Sequence, residues 1–167
     1  LDKFRRQNIP VLVGTQMVAK GLDFENVTLV GVISADQSLY VDDFRAAERT
    51  FSLLTQVVGR AGRGERTGRA VIQSYTPKND VIQCAARQDY DRFYENEILL
   101  RQARGLPPYR DLYVFTLSGL NEGAVLRSCM RLADGLRAWQ RDSALRDAEL
   151  QVLGPAAAPV LMVNKRY

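Results

Sequence analysis

A single apolar run, residues 27–33, most constrains the fold of this chain. It reads VTLVGVI, and its apolar side chains do not alternate with charged ones. Such runs are typical of parallel strands that are covered on both faces. Two shorter runs, 11–13 and 70–74, predict further strands, the first of them ended by Gly14. We therefore expect an α/β fold built on a parallel sheet.

Between residues 42 and 62 the apolar period changes to that of a helix. The apolar side chains that recur there at spacings of three and four are Phe44, Ala47, Phe51, Leu54 and Val58. This stripe predicts an amphipathic helix, with Asp42 or Asp43 as its N-cap. The order strand, strand, helix, strand over the first 75 residues is typical of an α/β domain.

The remainder of the chain predicts a helix and then a second small domain. Residues 79–104 favour a helix, which Gly105 and the following Pro-Pro pair end. Beyond it, strand-like runs at 112–118 and 150–153 flank a helix over 122–140. We therefore predict three parts.

The predicted parts are a domain over 1–78, a helical linker over 79–105 and a small α/β or α+β domain over 106–167. The chain starts without Met and ends directly after an apolar run, so we expect it to be a fragment of a larger protein.

Composition excludes several kinds of site. The chain has no histidine, which excludes His-based catalysis and imidazole metal ligation. Cys84 and Cys129 form no C-x-x-C pair and lie on predicted apolar helix faces, so we interpret them as buried thiols in a reducing compartment. Tyr113 and Trp139 are expected in the core rather than as stacking platforms for bases. The scattered basic residues of this part could contact phosphates, but solvation is the favoured interpretation for Arg101, Arg104, Arg110, Lys165 and Arg166. No apolar run is long enough to cross a bilayer, so no membrane partner is expected.

A first candidate site is the segment GTQMVAKGLDF at 14–24, at the carboxyl end of the predicted strand 11–13. Ligands of open α/β sheets bind at that end. The Thr15 hydroxyl and the Lys20 ammonium suit a phosphate, and Gly21 permits close approach to the backbone. A strand-to-helix turn with a surface lysine and a capping Asp23 accounts for the same residues at least as well.

A second candidate site is the segment QVVGRAGRG at 56–64. In a helix that continues through Gly59, Gln56, Arg60 and Arg63 share one face. A guanidinium binds phosphate oxygens in a fork and stabilises the charge that develops in phosphoryl transfer. The stretch 45–69 holds six arginines and two glutamates, so it carries +4, the net charge of the whole chain. A solvated basic helix end is the alternative, although glycines inside a helix disfavour it by about 1 kcal/mol each.

Together, in this order and about 40 residues apart, the two segments resemble motifs V and VI of superfamily 2 helicases. Three stretches resemble the PriA family of primosomal replication-restart helicases, namely TQMVAKGLDF at 15–24, DFRAAER at 43–49 and QVVGRAGR at 56–63. LPPY at 106–109 and VLGP at 152–155 are also similar to that family. The resemblance implies a partial RecA-like helicase lobe 2 followed by the start of the C-terminal DNA- and partner-binding domain.

The same resemblance implies three sets of site residues. Those that would face the phosphates of ATP, with one arginine as the catalytic arginine finger, are Gln56, Arg60 and Arg63. Those that would border the nucleotide are Gly21 and Asp23. Those that would contact the DNA backbone, or couple it to the nucleotide, are Thr15, Gln16 and Lys20.

The chain contains no G-x-x-x-x-G-K-[ST] segment to hold phosphates and no Asp-Glu pair after a strand to hold Mg²⁺. The resemblance implies that lobe 1 completes the ATP and Mg²⁺ site, and that zinc belongs only to another part of the parent protein. We therefore expect this fragment not to hydrolyse ATP alone.

The implied activity is ATP-dependent 3′-to-5′ translocation on DNA at stalled or recombined forks, followed by primosome assembly, in the cytoplasm at the nucleoid. The implied partners are forked or single-stranded DNA, the single-stranded DNA-binding protein, primosome proteins and the replicative helicase. Three alternatives remain: another superfamily 2 translocase, a non-catalytic nucleic-acid-binding module, and a structural domain that binds neither ligand.

Overall fold

The computed structural model describes residues 9–15, 27–59, 61, 68–141, 150–158, 160–163 and 165–167. Its strands and helices, in chain order, are β1 Leu29–Val32, α1 Asp36–Leu39, α2 Ala46–Val58, β2 Arg69–Ile72, α3 Asp80–Arg87, α4 Tyr90–Arg104 and α5 Glu122–Gln140. The chain divides into two compact units, Leu1–Leu112 and Tyr113–Tyr167. All elements except α5 belong to the first unit.

The first unit is built on a parallel pair of strands. β1 and β2 run side by side in register from Leu29 opposite Arg69 to Val32 opposite Ile72. α1 and α2 connect them, as a parallel pair requires a crossover rather than a tight turn. The predicted α/β fold is confirmed. The run 11–13, predicted as a strand, is irregular and exposed, so that prediction is wrong.

α2 supplies the centre of the core. Phe51 and Leu54, both in the predicted apolar stripe, are buried, and Leu54 is only 1% exposed. The helix begins at Ala46, later than predicted, and its N-cap is Arg45 rather than an aspartate. Asp43 instead accepts the Arg45 N–H at 2.8 Å and pairs with the Arg49 guanidinium at 2.7 Å, so it orders the turn that leads into the helix.

The segment 79–105, predicted as one helical linker, is two helices that pack into the same core. Gln88 adopts a left-handed conformation that ends α3, and the Asp89 carboxylate then caps α4. Buried Cys84 and Phe93 from these helices join Phe51 in one cluster. Because Ile82, Cys84 and Phe93 of this segment are buried in the same cluster as Phe51 and Leu54 of α2, the segment is part of the first unit. The predicted stop at Gly105, which is left-handed, is confirmed.

The two cysteines differ in their surroundings. The Cys84 thiol is buried as predicted, and burial raises its pKa. Cys129 on α5 is only half-buried, so the prediction that its thiol is buried is wrong.

The second unit consists of α5 and irregular chain in its described residues. Asn121 caps α5 by accepting the Ala124 N–H at 2.9 Å, and Ala133 is its buried residue. The runs 112–118 and 150–153, predicted as strands, are irregular, so those two predictions are wrong. Tyr113 and Trp139, predicted in the core, are exposed.

Within the part of the chain that the structure describes, no helix is both long and apolar enough to cross a membrane.

Candidate functional site

The structure describes two of the eight residues that the family resemblance assigned. Thr15 is exposed in irregular chain, and Gln56 is exposed near the end of α2. The other six lie outside the described residues: Gln16, Lys20, Gly21, Asp23, Arg60 and Arg63. The grouping of the phosphate-facing residues therefore stays a prediction.

The end of α2 shows how Gln56 and the residues after it are presented. Gly59 keeps a helical backbone, and its N–H donates to the Thr55 carbonyl at 2.9 Å. The Ala61 N–H then donates to the Val58 carbonyl at 3.2 Å, so the helical turn continues past the last residue of α2. α2 itself ends at Val58 with Gly59 as its C-cap, so the helix through Gly59 that would place Gln56, Arg60 and Arg63 on one face stays a prediction.

Glycine at position 59 has a spatial reason. A Cβ there would lie 3.2 Å from both the Thr55 carbonyl oxygen and the Gln88 side-chain nitrogen, which is tighter than ordinary van der Waals contact. A larger residue would therefore push against the backbone of α2 and the end of α3.

A polar cluster that the sequence did not predict lies where β1 and β2 end. Asp36 follows β1, and its side chain reaches across to the residues that follow β2. One carboxylate oxygen accepts the hydroxyls of Ser74 and Thr76, both at 2.8 Å, and the other accepts the Tyr75 N–H at 2.9 Å. Asp36 is 9% exposed, so this carboxylate ties the two strand ends together beneath the surface.

These donors determine the charge of Asp36. Partial burial raises the pKa of this carboxyl group, but the N–H of Tyr75 and the hydroxyls of Ser74 and Thr76 outweigh that effect. The pKa of Asp36 is lowered from 3.8 to about 2. The only sequence signal for the cluster is an acidic residue directly after an apolar strand, because its partners lie some 40 positions away.

Replacing Asp36 by asparagine tests this cluster. The folded-state pKa lies below the unfolded value, so ionised Asp36 stabilises the fold above pH about 4, and this contribution is lost as the pH falls towards 2. We expect Asp36→Asn to lower the melting temperature at pH 7 by a few degrees. The difference from wild type should shrink between pH 4 and pH 2, as followed by circular dichroism.

Asp42→Asn, the same chemical change at an exposed side chain, is the matched control. An equal effect of both substitutions at pH 7, or a difference for Asp36→Asn that is independent of pH, would contradict the role given to the cluster.

A second unpredicted cluster fixes the start of α2 against α4. Arg101 is 12% exposed in its side chain and pairs with Glu48 at 2.9 Å and with Glu97 at 2.8 Å. Its guanidinium also lies 5.4 Å from the centre of the Phe44 ring. Burial lowers the pKa of Arg101, but the two carboxylates outweigh that effect and raise it. The expectation that Arg101 is solvated is therefore wrong.

The segment 43–49 thus has a structural role in this fold. Asp43 and Arg49 order the turn before α2, and Glu48 holds α4 through Arg101. A groove of about 520 Å³ lies between α2 and α4, and its lining combines four aromatic rings with polar and charged side chains that include Gln56. This groove lies beside Gln56, the predicted phosphate-facing residue. Arg101 also lines the groove, but its guanidinium is already paired with Glu48 and Glu97.

The described part of the chain offers no set of side chains that could bind a metal ion. No group of three cysteine, aspartate or glutamate side chains comes together there in a way that could hold a metal ion. The Mg²⁺ and zinc expectations therefore stay predictions about the parent protein.

Comparison with known proteins gives a consistent result over the whole chain. Residues 1–65 match the family model of the helicase conserved C-terminal domain. The chain is 44% identical over its full length to Replication restart protein PriA of Bacillus subtilis, 42% identical to that of Synechocystis and 38% identical to that of Rickettsia felis. It covers 20%, 19% and 24% of those proteins, so it spans about a fifth of the length of the relatives it matches.

Proposed function

Because this chain belongs to the PriA family of replication restart proteins, we propose that it is a segment of an ATP-dependent DNA helicase that restarts replication. The identity of 44% over all 167 residues carries this proposal. The match of residues 1–65 to a helicase C-terminal domain agrees with it. The parallel pair β1 and β2, crossed by α2, is the arrangement expected of part of a RecA-like lobe 2.

In this proposal Gln56, Arg60 and Arg63 bind the phosphates of ATP, and Gly21 and Asp23 border the nucleotide. The exposed side chain of Gln56 and the helical turn that continues to Ala61 suit a ligand that approaches from solvent. ATP, once bound, supplies the phosphoryl transfer that drives movement. An arginine beside the γ-phosphate stabilises the charge that develops in that transfer. Lobe 1 supplies the phosphate loop and the Mg²⁺ ligands, and zinc belongs to another part of the protein.

The substrate in this proposal is forked or single-stranded DNA. Thr15, Gln16 and Lys20 contact its backbone, and Thr15 is exposed as such a contact requires. Translocation runs 3′-to-5′ and leads to primosome assembly with the single-stranded DNA-binding protein and the replicative helicase. These events take place in the cytoplasm at the nucleoid.

The test is ATP hydrolysis by the full-length protein that carries this chain. We expect forked DNA to stimulate hydrolysis and the protein to unwind a duplex from a 3′ single-stranded tail. The 167-residue chain alone should hydrolyse no ATP, because it lacks the phosphate loop.

The stretch 45–69, with its charge of +4, also fits a module that grips phosphates without using a nucleotide. Such a module binds DNA with an affinity that falls steeply with salt and is indifferent to ATP. Salt-sensitive DNA binding by the full-length protein, without hydrolysis, would favour this second function over the motor.

A further inference from the structure

Two residues, one at the end of α2 and one at the end of α3, are the reverse of what their backbone conformations favour. Gly59, the C-cap of α2, has a φ of −66°, a helical value that any residue adopts. Gln88, the C-cap of α3, has a φ of 56°, in the left-handed region where glycine costs least. The local backbone therefore explains neither the glycine at 59 nor the glutamine at 88.

The two positions meet in space, and this contact gives both residues a reason. The side-chain nitrogen of Gln88 lies 3.2 Å from the point that a Cβ on residue 59 would occupy. A side chain at 59 would push that amide away, and a glycine at 88 would remove it. The close contact between the end of α2 and the side chain of Gln88 thus depends on both residues.

The main chain around Gln88 gives this contact a firm base. The Gln88 N–H donates to the Ala85 carbonyl at 3.1 Å, and the Asp89 N–H donates to the Cys84 carbonyl at 2.9 Å. Cys84 and Ala85 are buried in the same core cluster as Leu54 of α2. Because the core holds α3 against α2, the end of α3 is a fixed support from which the Gln88 side chain reaches Gly59.

The end of α2 is also where the predicted phosphate-facing residues lie. Gln56 is in the last turn of α2, and its carbonyl oxygen lies 3.9 Å from the same Cβ point at Gly59. Arg60 follows Gly59 directly in the sequence. A shift of the chain at Gly59 therefore moves the backbone that carries these side chains. A misplacement of about 1 Å at a reacting centre can cost about 10²-fold in rate.

We propose that Gln88 is a positioning residue for ATP hydrolysis, which holds the end of α2 so that Gln56 and Arg60 meet the phosphates in the productive arrangement. Gln88 acts through Gly59 and contacts no ligand itself. Residues held in costly backbone conformations cluster at functional sites, where the surrounding structure maintains them. This inference rests on the proposed function, because it takes ATP as the ligand of this helix end.

The test measures DNA-stimulated ATP hydrolysis and thermal unfolding of the full-length protein. Gln88→Gly removes the side chain and relieves the left-handed strain, so the melting temperature should stay at or above that of wild type. The kcat should fall roughly 10-fold and KM for ATP should stay within about twofold, since a misplaced group loses contact with the transition state above all. A merely structural role predicts instead a lower melting temperature or an unchanged kcat.

Two further substitutions locate the effect in the contact itself. Gln83→Ala is the matched control on α3, because the Gln83 amide donates to the Pro77 carbonyl at 2.7 Å, and its kcat should equal that of wild type. Gly59→Ala places a Cβ against the Gln88 amide and should also lower kcat. In the Gln88→Gly background the same change should lower kcat by a smaller factor, because the contact is already lost.

The outcomes separate this inference from the proposed function. If the wild type hydrolyses ATP and Gln88→Gly has the same kcat, the positioning role is refuted alone. It is also refuted if Gln83→Ala lowers kcat as much, or if Gly59→Ala has the same effect with and without the Gln88 side chain. If the wild type hydrolyses no ATP, the proposed function fails, and this inference fails with it. A lower kcat at an undiminished melting temperature in Gln88→Gly, coupled to Gly59→Ala, supports the proposal.

Discussion

Replacing Arg63 or Arg60 by alanine is expected to reduce DNA-stimulated ATP hydrolysis by the full-length protein by about 10³-fold for whichever residue is the arginine finger. The reason is electrostatic: a guanidinium placed against the γ-phosphate stabilises charge that grows in the transition state and that no neutral side chain can replace. DNA binding should survive, since one positive charge among the six arginines of 45–69 is lost. Steady-state phosphate release, measured with and without forked DNA, gives the comparison.

Arg69→Ala is the matched control for these substitutions. It removes the same charge from the same stretch, but Arg69 lies exposed at the first position of β2, opposite Leu29. Hydrolysis should therefore be close to that of wild type. If Arg69→Ala lowers the rate as much as the other two substitutions, the effect is one of net charge. If hydrolysis is unchanged by both Arg60→Ala and Arg63→Ala, neither residue is the finger.

The parts of the fold that were predicted correctly are those that the local sequence determines. The run VTLVGVI favours a strand, and β1 lies within it, but β1 is not covered on both faces as predicted, because Leu29 is 62% exposed. The stripe that includes Phe51 and Leu54 has the period of a helix, and α2 buries both. Gly105 ends α4 because a left-handed residue stops a helix and glycine adopts that conformation at little cost.

Predictions that needed a partner elsewhere in the chain were the ones that differed from the structure. Residues 112–118 have strand-like composition, but a strand needs a ladder, and the described part of the second unit offers none alongside. The helices in 79–105 look like a linker until Phe93 is seen against Phe51, 42 positions earlier. A stripe of apolar residues shows which face is buried and does not show which element covers it.

The candidate site shows the same difference between features that the local sequence predicts and features that depend on distant partners. The resemblance to helicase motifs selected eight residues, and the two that the structure describes, Thr15 and Gln56, are exposed; the ligand roles of all eight stay predictions. The Asp36 cluster was not predicted, because its donors at Ser74 and Thr76 follow a different strand. A carboxylate a few positions after an apolar strand is the sequence signal that points to such a cluster, since parallel strands end at one edge of their sheet.

Phe51→Ala is expected to have the largest effect on stability, and it tests whether α3 and α4 belong to the first unit. Phe51 is 5% exposed, and its ring stacks on that of Phe93 with centroids 4.1 Å apart. Removing a buried phenyl group costs roughly 3–5 kcal/mol, because transfer energy is lost and a cavity remains. If α2, α3 and α4 open together, amide hydrogen exchange in all three helices should accelerate by about 10²- to 10⁴-fold in the 167-residue chain.

Phe93→Ala should accelerate exchange in the same three helices, because it removes the other ring of the stack. The double substitution should cost less than the sum of the two single ones by about 0.5–1.5 kcal/mol, the part of the energy that belongs to the pair. Leu99→Ala, on α4 but 64% exposed, is the control and should change exchange little. If Phe51→Ala accelerates exchange in α2 and leaves α3 and α4 protected, those two helices fold independently of α2. The prediction of a separate helical linker over 79–105 would then be correct. Acceleration in all three helices means that α2, α3 and α4 share one core, to which α4 contributes Phe93.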